Sequence, residues 1–317
     1  MKRVTDYLWP AIGLAAVVFS FYLLYKELHG LSASDVIASL RAIPASHYGL
    51  AAASTILAYA ALAWYDRIAL LHLERQLGWV FISLVSFTTY ALSHNIGASV
   101  FSGAMVRYRA YSTKGLSGAE VGVLVALCSF TFALGTLLLG AVVLVTLPDI
   151  VQRLYDIPVW AARGAGLVLI GLVCLYVFGS LRHFKPLKVG GFSLVYPRPP
   201  IVLRPLCAAP LELIGAAGII YFALPEAGNP GYLIVLGVFL ASFSAALLSH
   251  APGGLGVLEF IFLTAMPGMA KADVVAALLV FRLFYLLIPL AIAIVMVIGF
   301  ERGRLNEALA ERLRDGG

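Results

Sequence analysis

Charge is what this sequence has least of. Asp, Glu, Lys and Arg make up 12% of its 317 residues, while hydrophobic residues make up 62%. A soluble domain carries about 25% charged residues, so a water-soluble fold is excluded. Cysteine is scarce too, at three: Cys128, Cys174 and Cys207. All lie in apolar runs without metal-ligand spacing, which argues against a disulfide framework or a metal centre and leaves reduced core residues. There is no phosphate-cradling Gly-x-x-x-x-Gly-Lys loop, no Gly-x-Ser-x-Gly elbow and no His-Glu-x-x-His pair. ATP-driven pumping, serine-hydrolase chemistry and zinc proteolysis are therefore not expected, nor is any cofactor. The loops are too short for a soluble catalytic domain, so the expectation is a protein that is not an enzyme. No small-x-small cleavage site follows the first apolar run, so that run reads as a retained helix. The net charge of +6 does not point to nucleic acid. In so apolar a chain, excess Lys and Arg marks cytoplasmic loops and anionic headgroups.

What the sequence does have is a series of long apolar segments, eight in all: 8–25, 48–70, 79–101, 121–147, 159–181, 201–223, 232–266 and 273–299. Most are long enough to cross a bilayer, which predicts an all-α polytopic membrane protein. The last four segments start about 152 residues after the first four, and Leu-Ser-His recurs at 92–94 and 248–250. That offset predicts an internal duplication, with repeats at 1–150 and 151–300 and a charged cytoplasmic tail at 301–317.

The distribution of basic residues decides how the copies are oriented. Suppose the third segment of each half enters and leaves on one side, as a re-entrant hairpin. Each half then crosses three times and the second copy is inverted. With both termini cytoplasmic, Lys and Arg then fall about three to one on the cytoplasmic side. If all eight segments span, Arg107, Arg109, Lys114 and the basic residues of 182–200 move outside, and the bias collapses. The expectation is two inverted repeats, each with three spanning helices and one re-entrant helical hairpin. Asn95-Ile96-Gly97 and Pro252-Gly253-Gly254 would form the hairpin tips. Broken backbone survives at membrane depth only where protein or a water-filled cavity satisfies it, and paired breaks point to a transport site.

The residues at these breaks carry a family likeness. SHNIGASVFSGAMVRYRAYSTKGLS (93–117) and SHAPGGLGVLE (249–259) resemble the integral-membrane family of lysylphosphatidylglycerol synthase/flippases, the multiple peptide resistance factors. The resemblance extends over nearly the whole chain. Bifunctional members carry an aminoacyltransferase domain after the membrane part, and this sequence shows none, so it is similar to a stand-alone flippase-type branch. The resemblance implies a bacterial inner-membrane protein that moves a phospholipid between leaflets, by family default an aminoacylated phosphatidylglycerol. The alternative is a non-catalytic membrane subunit that presents lipid to a separate synthase. A homo-oligomer or such a synthase would be the protein partner.

Charges at membrane depth are costly, and so are candidate site residues. Glu212 and Arg282 both fall near the middle of their segments, and the simplest arrangement is a buried Glu212–Arg282 ion pair. It is either structural or a headgroup site that includes Tyr285; the family resemblance favours a functional Glu212. Asp66, with Arg67, closes the second segment, either as an interfacial helix cap or, as the resemblance implies, as a translocation residue. Arg107 and Arg109 follow the first hairpin and should diverge on their helix. They either anchor the cytoplasmic side or fork onto a phosphate, with a tyrosine at the interface; the resemblance favours Arg107. Asn95 is a polar helix breaker at the first tip; for Ser93, His94, Ser249 and His250, beside the breaks, capping broken backbone is the economical role, and for the histidines proton relay or phosphate binding is the sharper one. Glu259 falls where a half-helix begins and suits its positive end.

Overall fold

The computed structural model describes residues 32–96, 99–149, 157–182, 187–189, 192–194, 199–249 and 254–315. The first apolar run, 8–25, lies outside them. The helices are α1 (Ala33–Ala42), α2 (Ala45–His72), α3 (Trp79–Ile96), α4 (Ser99–Ser112), α5 (Gly118–Thr146), α6 (Val159–Leu181), α7 (Pro199–Ala223), α8 (Tyr232–Ser249), α9 (Val257–Ala265), α10 (Lys271–Phe281) and α11 (Ile288–Asp315). A π-helical turn, Arg282–Leu287, joins α10 to α11. The architecture is helical, as expected, with one small addition. Leu187–Val189 (β1) and Phe192–Leu194 (β2) form an antiparallel ribbon in which Leu187 faces Leu194.

Local chemistry sets several helix starts. Ser32 caps α1 and Ser117 caps α5, each reciprocated by an acidic residue three positions on, Asp35 and Glu120. Pro44 and Pro158 hold extended backbone just before α2 and α6. Among the described residues, five helical units are long and apolar enough to cross a membrane: Ala45–His72, Gly118–Thr146, Val159–Leu181, Val202–Ala223 and Lys271–Phe300. The 23-residue α6 is about 34 Å long at 1.5 Å per residue, enough for a hydrocarbon core of about 30 Å. Large apolar side chains face outward, among them Trp160, 77% exposed, and Val295, 70%. Such a surface is stable against lipid and not against water. The molecule is a membrane protein.

Two of the expected segments break. The third becomes α3 and α4, which pack against each other; the seventh becomes α8 and α9, which do the same. The first break falls later than expected, since Asn95 and Ile96 are still helical. Gly97, and with it His250, Pro252 and Gly253, lies outside the described residues. On the far side of the second break, Gly254 and Gly256 have φ of +65° and +81°, which only glycine adopts without strain.

The centre of the bundle is the contact between α2 and α7. Gly215 lets the two backbones touch: a Cβ there would lie 2.8 Å from the Ser54 carbonyl and 2.9 Å from the Ala58 nitrogen. Gly135 of α5 is pressed against Ala209 of α7 in the same way. Lipid offers no hydrophobic drive between helices, so small residues that permit close van der Waals contact do this work. The main buried cluster gathers residues from α2, α3, α5, α7, α8, α10 and the π turn. The candidate site lies inside it.

Candidate functional site

Three buried groups organise the site. The first is Asp66 on α2, with no exposed surface. Arg107 of α4 donates to it twice, Nε to Oδ2 at 3.2 Å and Nη2 to Oδ1 at 2.7 Å. The Tyr111 hydroxyl donates to Oδ2 at 2.8 Å, and the Cys128 thiol points at Oδ1 from 3.5 Å. The Arg107 guanidinium also lies 4.8 Å over the Tyr90 ring. A planar fork on a carboxylate, backed by a ring, is the arrangement that best compensates two desolvated charges. It corrects two expectations. Asp66 is not an interfacial cap; Arg67, its neighbour, turns away to the Leu77 carbonyl and the Trp79 ring. Arg107 is bound to Asp66 inside the protein, and Tyr111 is buried with it while Tyr108 is exposed. Arg109 is exposed, so the two arginines diverge.

The second group is Glu212 on α7, 1% exposed. The Tyr285 hydroxyl donates to Oε1 at 2.6 Å, and the Tyr65 hydroxyl approaches Oε2 at 3.5 Å. The expected Glu212–Arg282 pair does not form. Arg282 opens the π turn and donates instead to Glu259, from Nε at 2.8 Å and Nη2 at 2.5 Å. Tyr285, three residues on in the π turn, is the side chain that meets Glu212 of α7. Glu259 also accepts from the Gly256 backbone N–H at 2.8 Å, capping the start of α9. The capping role expected there is present, with an ion pair added.

The third group is the π turn itself. A π turn leaves its carbonyls poorly matched to the helices on either side, and here side chains from elsewhere meet two of them. Tyr59 of α2 donates to the Tyr285 carbonyl at 2.9 Å, and Asn95 of α3 donates to the Leu286 carbonyl at 3.2 Å. Asn95, expected as a helix breaker, instead satisfies backbone, both in its own helix, at the Ala91 carbonyl (2.8 Å), and in the π turn. His94 does not cap. Its ring stacks on Tyr285 at 5.2 Å and meets Tyr90 at 5.6 Å, while its Nδ1 is buried with no partner among the described residues. Ser93 turns to the Tyr90 carbonyl at 3.4 Å. His250 and the Ser249 side chain lie outside the description.

Asp66, Arg107, Glu212, Tyr285 and His94 are thus brought into one buried network through Tyr65 and Tyr90. Arg282 and Glu259 form a second centre, and Arg109 belongs to neither. The sequence reading passed over Tyr59, Tyr65, Tyr90 and Cys128. A signal was present: Tyr65 adjoins Asp66, and Tyr90 stands one turn before His94.

Comparison with known proteins gives this geometry its setting. The chain is 31% identical over 265 residues to the inner membrane protein YbhN of Escherichia coli, covering 82% of this chain and 80% of that one. The chain belongs to the YbhN family. Another relative, slr0712 of Synechocystis sp., is 29% identical over 294 residues, 92% of this chain and 91% of its own. More distantly, the phosphatidylglycerol lysyltransferase of Bacillus subtilis is 23% identical over 319 residues. That match covers 98% of this chain but 36% of the lysyltransferase, so the chain spans about a third of that protein. No family model matches.

Proposed function

We propose that this YbhN-family protein is a lipid flippase of a bacterial inner membrane. It would carry a phospholipid between leaflets, with aminoacylated phosphatidylglycerol the first candidate. The observation that carries this reading is the buried network of Asp66, Arg107 and Glu212 inside a bundle whose outer surface is apolar. Charged groups at membrane depth cost at least about 2.5–3.5 kcal/mol each on insertion scales, and a protein that only filled the bilayer would have little use for them. The distant likeness to phosphatidylglycerol lysyltransferases, along the whole of this chain, supports a lipid as the cargo.

In this reading, residues 1–150 and 151–300 are inverted repeats, α3/α4 and α8/α9 are their re-entrant hairpins, and both termini are cytoplasmic. Asp66, Arg107, Arg109, Glu212, Arg282 and Tyr285 form the path for the headgroup, while the acyl chains stay in lipid. Alternating access comes from rocking one half against the other.

Reconstitution tests it. Liposomes containing the protein and a fluorescent phosphatidylglycerol should expose inner-leaflet probe to an impermeant quencher faster than empty liposomes. Glu212→Gln should slow that exchange at least about tenfold, equivalent to 1.4 kcal/mol. Absence of protein-dependent exchange with phosphatidylglycerol, its lysyl ester and phosphatidylethanolamine alike would refute the reading.

A further inference from the structure

Two carboxylates belong to the network, both buried and differently compensated. Asp66 has the Arg107 fork. Glu212, 1% exposed, enters no ion pair among the described residues. Its partners are two phenol hydroxyls, from Tyr285 and Tyr65. An ionised carboxylate without a counter-ion is costly in a membrane interior, so something has to neutralise it for at least part of the time.

The neighbourhood narrows the choice. From α2 it presents Tyr59 and Tyr65, and from the π turn Tyr285. Further out lie Tyr90 and His94 of α3, Cys128 of α5, and Arg107 of α4, which Asp66 already binds. Tyr232 of α8 is turned to the Ile214 carbonyl, and Tyr176 of α6 belongs to a separate cluster with Phe130. Lys271 and Asp273 of α10 sit at the start of that helix, more than two turns before Tyr285. Among the described residues no cation pairs with Glu212, and Arg282 is bound to Glu259. A metal ion or an ammonium group would need space and several oxygen ligands. Around Glu212 the helix is packed shut: Ala208, Ala209, Leu213 and Ala216 are all at 0% exposure. A proton needs no added volume. Phenol hydroxyls also suit both states, because each can donate to a carboxylate or accept from a carboxylic acid.

We propose that Glu212 is a proton-exchange site that alternates between carboxylic acid and carboxylate, and that this exchange couples transport to a proton gradient. The first half stands on the geometry of Glu212; the coupling half rests on the lipid-transport reading above. A charge change at Glu212 is felt first by Tyr285. That residue also holds the His94 ring and, through its carbonyl, Tyr59 of α2.

Two measurements separate the halves. Infrared difference spectra of the purified full-length protein, taken across the neutral pH range, should show the C=O stretch of a buried carboxylic acid growing as pH falls. Glu212→Gln should lose that band, and Tyr285→Phe, which keeps the carboxyl, should shift it. Absence of any Glu212-dependent band at any pH overturns the proposal. In proteoliposomes an imposed pH gradient should accelerate lipid exchange severalfold in the wild type and leave Glu212→Gln unchanged. Exchange that ignores the gradient in the wild type overturns the coupling. If the band is present and no lipid exchanges under either gradient direction, the transport reading fails and the proton site stands.

Discussion

The two helix pairs that fold back within the bundle are tied down by ion pairs of opposite layout. In the first, the second limb α4 supplies the cation, Arg107, and α2 supplies the anion. In the second, the limb α9 supplies the anion, Glu259, and the π turn supplies the cation, Arg282. Arg107 and Glu259 are separated by about the offset of the proposed repeat, so corresponding positions carry opposite charges. Their environments differ as well. Arg107 and Asp66 have side chains 5% and 0% exposed, whereas Arg282 and Glu259 are each 12% exposed. Tyr111 and Cys128 add donors to the first pair, while the second shares its carboxylate with the Gly256 N–H. The first pair is a locked joint and the second is a more accessible one at the end of a short helix. Two helix pairs in one bundle can thus differ, one held rigid by its ion pair and the other left more accessible.

Mutations can break that comparison. The largest effect should follow Arg107→Ala, which strands Asp66 without a counter-ion; about 3–5 kcal/mol of stability should go, read as a lowered thermal transition in detergent. Replacing both partners together, Asp66→Leu with Arg107→Met, should recover much of that loss. If the single variant melts like the wild type, the locked-joint reading fails. Arg282→Ala should cost less, about 1–3 kcal/mol, because Glu259 keeps the Gly256 N–H and some solvent. A double-mutant cycle on Arg282 and Glu259 should give a smaller coupling than one on Arg107 and Asp66. Asn95→Ala removes the link from α3 to the Leu286 carbonyl and should cost about 0.5–1.5 kcal/mol. Faster hydrogen exchange in the π turn should report it. The smallest effect should come from Arg75→Ala. Its pair with Glu120 at 2.7 Å is solvent-exposed, worth about 0–1 kcal/mol, and the variant serves as a control.

Much of the fold could be read from the residues alone. Apolar length placed α6 at its observed bounds and α2, α5 and α7 within about three residues of theirs, because in lipid a helix must satisfy its own backbone. The helix break near Gly97 was legible as well, though displaced from Asn95-Ile96-Gly97. Asn95 remains in α3, and its side chain bonds the Ala91 and Leu286 carbonyls, which ties the end of that helix to the π turn. Burial of a charge at Glu212 and Arg282 was legible, but its pairing was not. Both stand at mid-segment, and depth along a helix says nothing about which way a side chain is turned.

The sequence by itself therefore determined the class of molecule, the run of its helices and which ionisable groups had to be sheltered. Hydropathy and backbone hydrogen bonding are local properties, and they act residue by residue along the chain. Only the tertiary structure decided that Asp66 takes Arg107, that Glu259 takes Arg282 and that Glu212 is left to two tyrosines. Those choices depend on the rotation of α2, α4, α7 and the π turn about their own axes. Gly215 brings α7 against α2, and the π turn presents Tyr285 to Glu212 and Arg282 to Glu259; these contacts join segments far apart in the chain.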